Sequence, residues 1–292
     1  MTTHLVTFSD ESMSRAAELC VTSAKASGIS VTHRYGPSDV AGLLQRSGID
    51  PTARGCGYWA WKAAVILGTM YNLGLVDTAF NLSGDNYIIY ADAGVEFIAP
   101  VSHITTRMDH DVWLFGNNYE HAHWCKADVV AAIWPTNDRS DPMGWHRFGK
   151  QVQASVIFFR VSDCSRRFVQ EWLAWCLTKD PNDSQVGLSC GHWWKGNAWS
   201  RCPQCGDVAV ENRSEYLIDD SPSRNRNHPE FQEHRHDQAI LTTMAYRGGI
   251  PLHWWPAMYN DGAFTYEKLP CYAGDDYPVL FHHHRRRDNE WS

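Results

Sequence analysis

A single carboxylate stands where an apolar, β-rich run of the sequence ends. The run is Tyr87–Ala91, and Asp92 follows it directly. At the carboxyl end of a central strand an acid can hold a hard cation, which can in turn hold the oxygens of a diphosphate. If the strand continues, side-chain alternation places Gly94 and Glu96 on the same side as Asp92. The alternative is that Asp92 only caps a turn.

Two clusters late in the chain carry further groups that could do chemistry. In His234–Gln238, Asp237 opens a predicted helix, so it is either a helix cap or a functional acid. The run His282–Arg287 contains three histidines and three arginines and follows the apolar Val279–Phe281. Histidine can ligate a metal and arginine can bind a diphosphate, although a solvated basic tail has the same composition.

Cysteines suggest a separate metal site. Cys202 and Cys205 have the spacing of a zinc-knuckle half-site, and Cys190 with His192 could supply the second pair. Such a zinc ion would explain how a polar insertion stays folded. The alternative is a set of reduced thiols, which the odd total of 9 cysteines in a chain of this size favours.

Several large enzyme classes are excluded because their motifs are absent or stand in the wrong context. The segment Gly55–Ala60 formally matches the dinucleotide fingerprint G-x-G-x-x-A, but the preceding Ser47–Arg54 is polar and contains Pro51. The fingerprint requires a preceding strand, so this match is rejected. The sequence also lacks a P-loop, a G-x-S-x-G nucleophile elbow and an H-E-x-x-H helix.

The elements that must position these groups alternate between strand and helix in the first third of the chain. Hydrophobic periodicity and capping residues predict strands over His4–Phe8 and Ile29–His33, and helices over Glu11–Ala26, Ser38–Gln45 and Tyr58–Leu73. Further on they predict strands over Val112–Phe115 and Ala154–Phe159, helices over Arg166–Leu177 and Asp237–Tyr246, and an irregular Cys- and Trp-rich insertion over about 178–213. This pattern predicts a mixed, mostly parallel α/β sheet flanked by helices, with ligands beyond the carboxyl ends of its strands.

Composition bounds the remaining possibilities. The 292 residues are 43% hydrophobic and 20% charged, which is typical of a globular chain, and no linker divides them, so a single domain over 1–292 is predicted. The net charge of -7 gives no overall attraction to nucleic acid or an anionic membrane. No leader or membrane-spanning stretch is recognisable, so a cytoplasmic location and no transmembrane segment are expected. The 14 tryptophans suit a core but also suit stacking on sugar rings or bases.

Three segments, in this order, resemble one enzyme group. They are Arg54–Lys62 (R-G-C-G-Y-W-A-W-K), Tyr90–Gly94 (Y-A-D-A-G) and His234–Gln238 (H-R-H-D-Q). Together they resemble nucleotide-sugar-dependent glycosyltransferases of the GT-A fold from bacterial and viral surface-glycan pathways. The resemblance covers about residues 4 to 98 and 150 to 285, and preserved order makes it more specific than any one motif. It implies a GT-A-like (Rossmann-like) fold, with a nucleotide-sugar-binding part over 1–98 and an acceptor-side part over 99–292.

The resemblance also implies roles for individual residues. The donor side would be lined by Thr7, Phe8, Arg54, Tyr58, Lys62, Asp92 and Arg285, and the acceptor or sugar side by His236 and Gln238. Apart from the resemblance, Trp145 and Gln153 are predicted to contact a sugar. Asp92, His283 and His284 would hold Mn²⁺ or Mg²⁺. Gly94 departs from the D-x-D motif of such enzymes, which puts strong metal binding in doubt unless Glu96 or the late histidines compensate. Asp92 and Asp237 would be the catalytic carboxylates.

The predicted activity is therefore transfer of a sugar from a nucleotide diphosphate sugar to a hydroxyl of a glycan or related acceptor. An inverting enzyme would use Asp237 as a base, whereas a retaining one would use it to position groups or stabilise charge. Two alternatives stay open: a non-catalytic carbohydrate-binding protein on the same framework, and a metal-dependent nuclease. The lack of a basic face weighs against the nuclease.

Overall fold

The computed structural model describes residues 2–73, 86–136, 140–141, 143–178, 216–221, 223, 225–259, 267–284 and 286–290, and the backbone of three short strands, β7, β8 and β11. The strands are β1 (Thr2–Phe8), β2 (Val31–Tyr35), β3 (Asn86–Ala91), β4 (Val95–Phe97), β5 (Val112–Glu120), β6 (Lys150–Arg160), β7 (Val186–Gly187), β8 (Trp193–Trp194), β9 (Leu252–Trp254), β10 (Ala257–Tyr259), β11 (Phe264–Thr265) and β12 (Phe281–His283). The helices are α1 (Ser14–Ala26), α2 (Pro37–Ser47), α3 (Arg54–Tyr58), α4 (Trp61–Asn72), α5 (Ser102–Thr105), α6 (Ala127–Ile133), α7 (Asp163–Leu177) and α8 (His236–Arg247).

A six-stranded sheet forms the centre of the described structure, in the order β2-β1-β3-β6-β5-β9. The β1–β2, β1–β3 and β5–β9 pairings are parallel, while β6 runs antiparallel to both of its neighbours. The carboxyl ends of β1 and β3 therefore lie at the same edge as the beginning of β6. The predicted mixed, mostly parallel sheet with flanking helices is confirmed.

The sheet buries an apolar core on each side because successive side chains of a strand point to opposite faces. Val6 and Ile88 belong to the core that α4, α7 and α8 cover. Their neighbours Leu5 and Ile89 belong to the core covered by α1 and by a second, four-stranded sheet. Central strands buried on both faces explain the continuous apolar runs in the sequence.

The segment between α2 and α4 differs from the prediction. Tyr58 was expected to begin a long helix, but Tyr58 and Trp59 have φ angles of +56° and +60°, and α4 begins only at Trp61. Gly55 is also left-handed, and a Cβ there would lie 2.4 Å from the Trp59 ring. Gly55 and Gly57 therefore permit the tight left-handed turn that α3 forms. No strand directly precedes it, which confirms the rejection of a dinucleotide fingerprint.

The chain turns immediately after Asp92 instead of continuing as a strand. The backbone N–H of Val95 donates to the carbonyl of Asp92 at 3.0 Å, and β4 then joins the second sheet, whose order is β11-β10-β12-β4. The expectation that Gly94 and Glu96 continue the face of Asp92 is wrong. Glu96 lies on β4 instead, where its Oε2 lies 3.0 Å from Nδ1 of His282.

Within the ranges described above, no helix combines the length and apolar character needed to cross a membrane.

Candidate functional site

A cavity of about 940 Å³ opens at the edge of the main sheet where β1 and β3 end. Its walls come from the segment after β1, the left-handed turn before α4, the turn at Asp92, the end of β5, the beginning of β6 and the beginning of α8. Many of the residues singled out in the sequence line it, namely Phe8, Arg54, Lys62, Asp92, Gln153, His236, Asp237, Gln238 and His283. Tertiary structure thus brings the three motifs of the sequence to one cavity.

Lys62 lies on the floor of this cavity, between the two predicted catalytic carboxylates. Its Nζ is 3.4 Å from Oδ1 of Asp92 and 3.3 Å from Oδ2 of Asp237, and it donates to the carbonyl of Ala154 at 3.1 Å. Only 4% of its side chain is exposed. Burial by itself lowers the pKa of Lys62, but Asp237 and Asp92 more than offset this, so the pKa is raised and the ammonium stays charged.

Asp237 sits in the first turn of α8 and is buried. A position at a helix N-terminus favours an ionised carboxylate. Burial instead raises its pKa to about 6, against the opposing effect of Lys62. The desolvation of a carboxylate in a covered position outweighs the nearby positive charge. An acid that loses its proton near neutral pH is suited to exchange that proton with a ligand.

Asp92, which follows β3, is held in place by a backbone hydrogen bond to β6 and by the phenol of Tyr90. The hydroxyl of Tyr90 donates to Oδ1 of Asp92 at 2.6 Å, and the backbone N–H of Asp92 donates to the carbonyl of Ser155 at 2.8 Å. Burial and the neighbouring carboxylate raise the pKa of Tyr90 well above its usual value, so the phenol stays protonated as a donor. About one third of the Asp92 side chain, 34%, is exposed to the cavity side.

His236, which precedes Asp237, has a backbone conformation that residues other than glycine rarely adopt. Its φ is +45°, and its Nδ1–H donates to the carbonyl of Ile218 at 2.8 Å, while Nε2 lies 3.4 Å from Asp220. The loop that supplies this carbonyl is itself tied down by buried Lys126, whose Nζ donates to Asp219 Oδ1 at 3.0 Å. Backbone strain of this kind persists only when surrounding contacts hold it, and here they orient the start of α8.

Arginines line the more open part of the cavity. Arg54 forms an ion pair of 2.9 Å with Glu233, and Arg235 lies over the Trp124 ring at 4.4 Å from its centroid. Arg287 is exposed and also lines the cavity. Guanidinium groups pair well with phosphate oxygens, so this side of the cavity suits an anionic ligand.

The residues expected to hold a divalent cation are brought together only in part. Asp92 and His283 line the cavity, but His284 does not; its Nδ1 accepts from the Arg286 N–H at 3.1 Å. Asp92 and His283 are therefore the two expected ligands that share the cavity lining. Glu96 lies outside the cavity lining, on β4.

A different cluster has donor atoms within 4.8 Å of one another in the described chain. It consists of His123, His228 and Glu230 and lies outside the cavity lining. Nε2 of His123 is 2.8 Å from Oε2 of Glu230, and the Glu230 N–H donates to Nδ1 of His228 at 3.2 Å. These contacts account for the cluster without an ion.

Other predicted residues lie elsewhere. Thr7 is fully buried, Tyr58 faces the His236 ring at 5.4 Å between centroids, and Trp145 packs near Phe148, so none of them lines the cavity. Arg285 and the zinc set Cys190, His192, Cys202 and Cys205 lie outside the described residues. The structural zinc ion stays a prediction.

The cavity-lining residues that sequence reasoning missed include Asn117 and Tyr119 on β5, Gln151 on β6 and Arg287 after β12. For Gln151 a signal existed: polar Gln151, Gln153 and Ser155 alternate with apolar neighbours at the start of β6. The predicted strand began at Ala154, three residues short of Gln151, and so hid this alternation. No comparable pattern marks Asn117 or Tyr119.

No protein-family model matches the chain, and no curated protein matches it. Among solved structures, the chain is similar to the "crystal structure of a glycosyltransferase involved in the glycosylation of the major capsid of PBCV-1". The two are 8% identical, the similarity covers 62% of this chain and 69% of that chain, and the TM-score is 0.34. This likeness is too low to carry an argument about activity.

Proposed function

We propose that this protein is a glycosyltransferase of the GT-A type that moves a sugar from a nucleotide diphosphate sugar to a hydroxyl group. The observation that carries the proposal is the position of Lys62, whose buried ammonium joins Asp92 and Asp237 on the floor of a large cavity. The three motifs that resemble this enzyme class supply these three residues.

The leaving diphosphate needs positive charge, which the cavity provides on one side. Arg54 and Arg287 line the cavity with partly or largely exposed side chains, and Lys62 lines it with a buried one. Phe8, at the end of β1, stacks on Trp61 at 3.7 Å between ring centroids, which gives a flat apolar wall beside the donor. Arginine pairs with phosphate oxygens through two parallel hydrogen bonds, so these side chains suit a diphosphate better than a neutral ligand.

In this proposal Asp92 and His283, which both line the cavity, would hold a divalent cation together with the donor. When bound, the cation neutralises charge on the departing diphosphate. Lys62 and Tyr90 help to orient Asp92, because the Lys62 ammonium and the Tyr90 hydroxyl both contact Oδ1. Oδ2 of Asp92 takes part in neither of these two contacts.

Asp237 is the group proposed to act on the acceptor. In an inverting reaction its carboxylate takes the proton of the acceptor hydroxyl, the hydroxyl oxygen bonds to the anomeric carbon, and the bond from that carbon to the diphosphate breaks. In a retaining reaction Asp237 instead stabilises positive charge at the anomeric carbon. The anomeric configuration of the product, read by NMR, separates the two.

A thermal-shift panel tests the proposal. The protein is heated with each common nucleoside diphosphate and nucleotide sugar, with and without Mn²⁺. A transferase should be stabilised by one nucleotide in a metal-coupled manner, because ligand binding to the native state raises the melting temperature. Stabilisation by sugars but by no nucleotide would instead indicate a carbohydrate-binding protein, and the absence of both would contradict the proposal.

A further inference from the structure

One wall of the cavity carries no charge. The cavity-lining residues of β5 and β6 are all neutral, namely Asn117, Tyr119, Gln151, Gln153, Ala154 and Ser155. The charged lining residues, which include Asp10, Arg54, Lys62, Arg235, Asp237 and Arg287, come from other segments of the chain. The cavity therefore has two chemically different sides.

Amide side chains dominate the neutral wall, and they are buried. Asn117, Gln151 and Gln153 are 2%, 1% and 5% exposed. The start of β6 extends past the end of β3, since their pairing stops at Ala91 and Val156, and this brings Gln151 and Gln153 to the cavity. Burying an amide costs free energy unless it is hydrogen-bonded. Gln153 donates from Nε2 to the Ser155 hydroxyl at 2.7 Å, and Asn117 Oδ1 accepts from the Tyr119 N–H, so the indication of a ligand comes from Gln151.

Gln151 shows this need directly. Its Oε1 accepts from Nε2 of Gln238 at 2.7 Å, but its own buried Nε2 has no hydrogen-bond partner within the described part of the chain. Gln238 directly follows Asp237 in the chain. Its hydrogen bond to Gln151 therefore links Gln151, which carries the unpartnered Nε2, to the segment that contains the proposed base. A hydroxyl oxygen placed there would satisfy Gln151.

An exposed ring borders the same wall. Tyr119 is 50% exposed, and its backbone N–H donates to Oδ1 of Asn117 at 2.9 Å. The edge of its ring contacts Trp124, at 5.5 Å between centroids, and Arg235 covers Trp124. An aromatic face beside amide groups matches a sugar ring, which presents C–H groups on its face and hydroxyls at its edge.

We infer that Asn117, Tyr119, Gln151 and Gln153 of this wall, together with Gln238 of α8, bind an uncharged sugar unit of the acceptor. The inference rests on the proposed function, in which the arginine side takes the donor. Gln151 donates to a sugar hydroxyl, Tyr119 packs against the ring face, and the hydroxyl to be glycosylated faces Asp237. The side chains of this wall carry no charge, and the cations beside it are Lys62, which donates to the Ala154 carbonyl, and Arg235, which lies over Trp124.

Binding measurements on matched variants test this inference. The probes are a panel of methyl glycosides of the common neutral hexoses, 6-deoxyhexoses and pentoses, and separately the panel of nucleoside diphosphates with Mn²⁺. The variants are Tyr119→Ala, with Tyr71→Ala as control, and Gln151→Met, with Gln45→Met as control. Tyr71 is 46% exposed on α4 and Gln45 is exposed on α2, and neither lines the cavity.

The expected result is selective loss of sugar binding. Tyr119→Ala and Gln151→Met should each weaken the best glycoside by about tenfold or more, while nucleotide affinity changes by less than about twofold. Both controls should retain both affinities. Because Tyr119 is half exposed, its variant tests the inference even if Gln151→Met fails to fold.

Three outcomes would overturn the inference. They are nucleotide binding without binding of any neutral glycoside, equal loss of nucleotide and glycoside affinity in Tyr119→Ala, and a loss of the same size in Tyr71→Ala. If glycosides bind and depend on Tyr119 but no nucleotide binds, the sugar subsite stands and the proposed transferase activity falls. The two proposals therefore fail separately.

Discussion

The ammonium of Lys62 lies 3.3 Å from the carboxylate of Asp237, and both side chains are buried. The same ammonium lies 3.4 Å from Asp92. The two carboxylates that line the cavity therefore share one ammonium. The predictions below follow from this arrangement and from the groups around it.

Replacing Lys62 should destabilise the protein. Lys62→Met leaves Asp237 buried without its cation, and breaking a buried ion pair from one side costs about 3 to 5 kcal/mol. Chemical denaturation measures the loss. Adding Asp237→Asn should recover part of it, because the unpaired buried charge is removed, and a double variant less stable than Lys62→Met would contradict this account.

Asp237→Asn should separate catalysis from binding. The amide keeps the size of the side chain, so donor affinity by titration should barely change, while turnover falls by about 100-fold or more if Asp237 acts as a base. Asp163→Asn, in the first turn of α7, is a matched control that should keep full turnover. Retained turnover in Asp237→Asn would assign this residue to helix capping.

Transfer should decline in acid. Burial raises the pKa of Asp237 to about 6, so the carboxylate is protonated below that pH and cannot accept the proton of the acceptor. The pH profile of kcat/KM, which reports groups of the free protein, should therefore show an acidic limb near this value. A flat profile down to about pH 5 would contradict the role of Asp237 as a base.

The same pKa predicts a pH-dependent term in stability. Because the native pKa of Asp237 lies above its unfolded value of 3.8, the folded protein holds this proton more tightly than the unfolded chain. The stabilisation is complete below about pH 4 and is lost as the pH rises through about 6, by roughly 3 kcal/mol at most. The free energy of unfolding of the protein minus that of Asp237→Asn should fall over this range.

His283 and His282 should differ in their effect on metal-coupled binding. His283 lines the cavity, whereas His282 lies outside its lining and pairs with Glu96. His283→Asn should weaken Mn²⁺-dependent nucleotide binding by about tenfold or more, and His282→Asn should leave it unchanged. Equal behaviour of the two variants, measured by calorimetric titration, would remove His283 from the proposed cation site.

The amino-acid sequence determined the local elements well. Continuous apolar runs predicted β1 and β3, which are buried on both faces, and apolar spacing predicted α7 and α8 to within a few residues. It failed at Tyr58, because a left-handed turn stabilised by two glycines leaves no periodic signal. The prediction also failed after Asp92. The end of β3 depends on where its pairing with β6 stops, and not on the residues that follow in the sequence.

The sequence likewise identified Asp92 and Asp237 as candidates, because each stands at the end of a predicted element. Only the tertiary structure decided that Lys62 lies between them and that Gln151 belongs to the same cavity. The physical reason is that periodicity and capping are local properties of the chain. A pKa, an ion pair or an unpartnered amide depends instead on burial and on neighbours that distant segments bring together, as α4, β3, β6 and α8 do here.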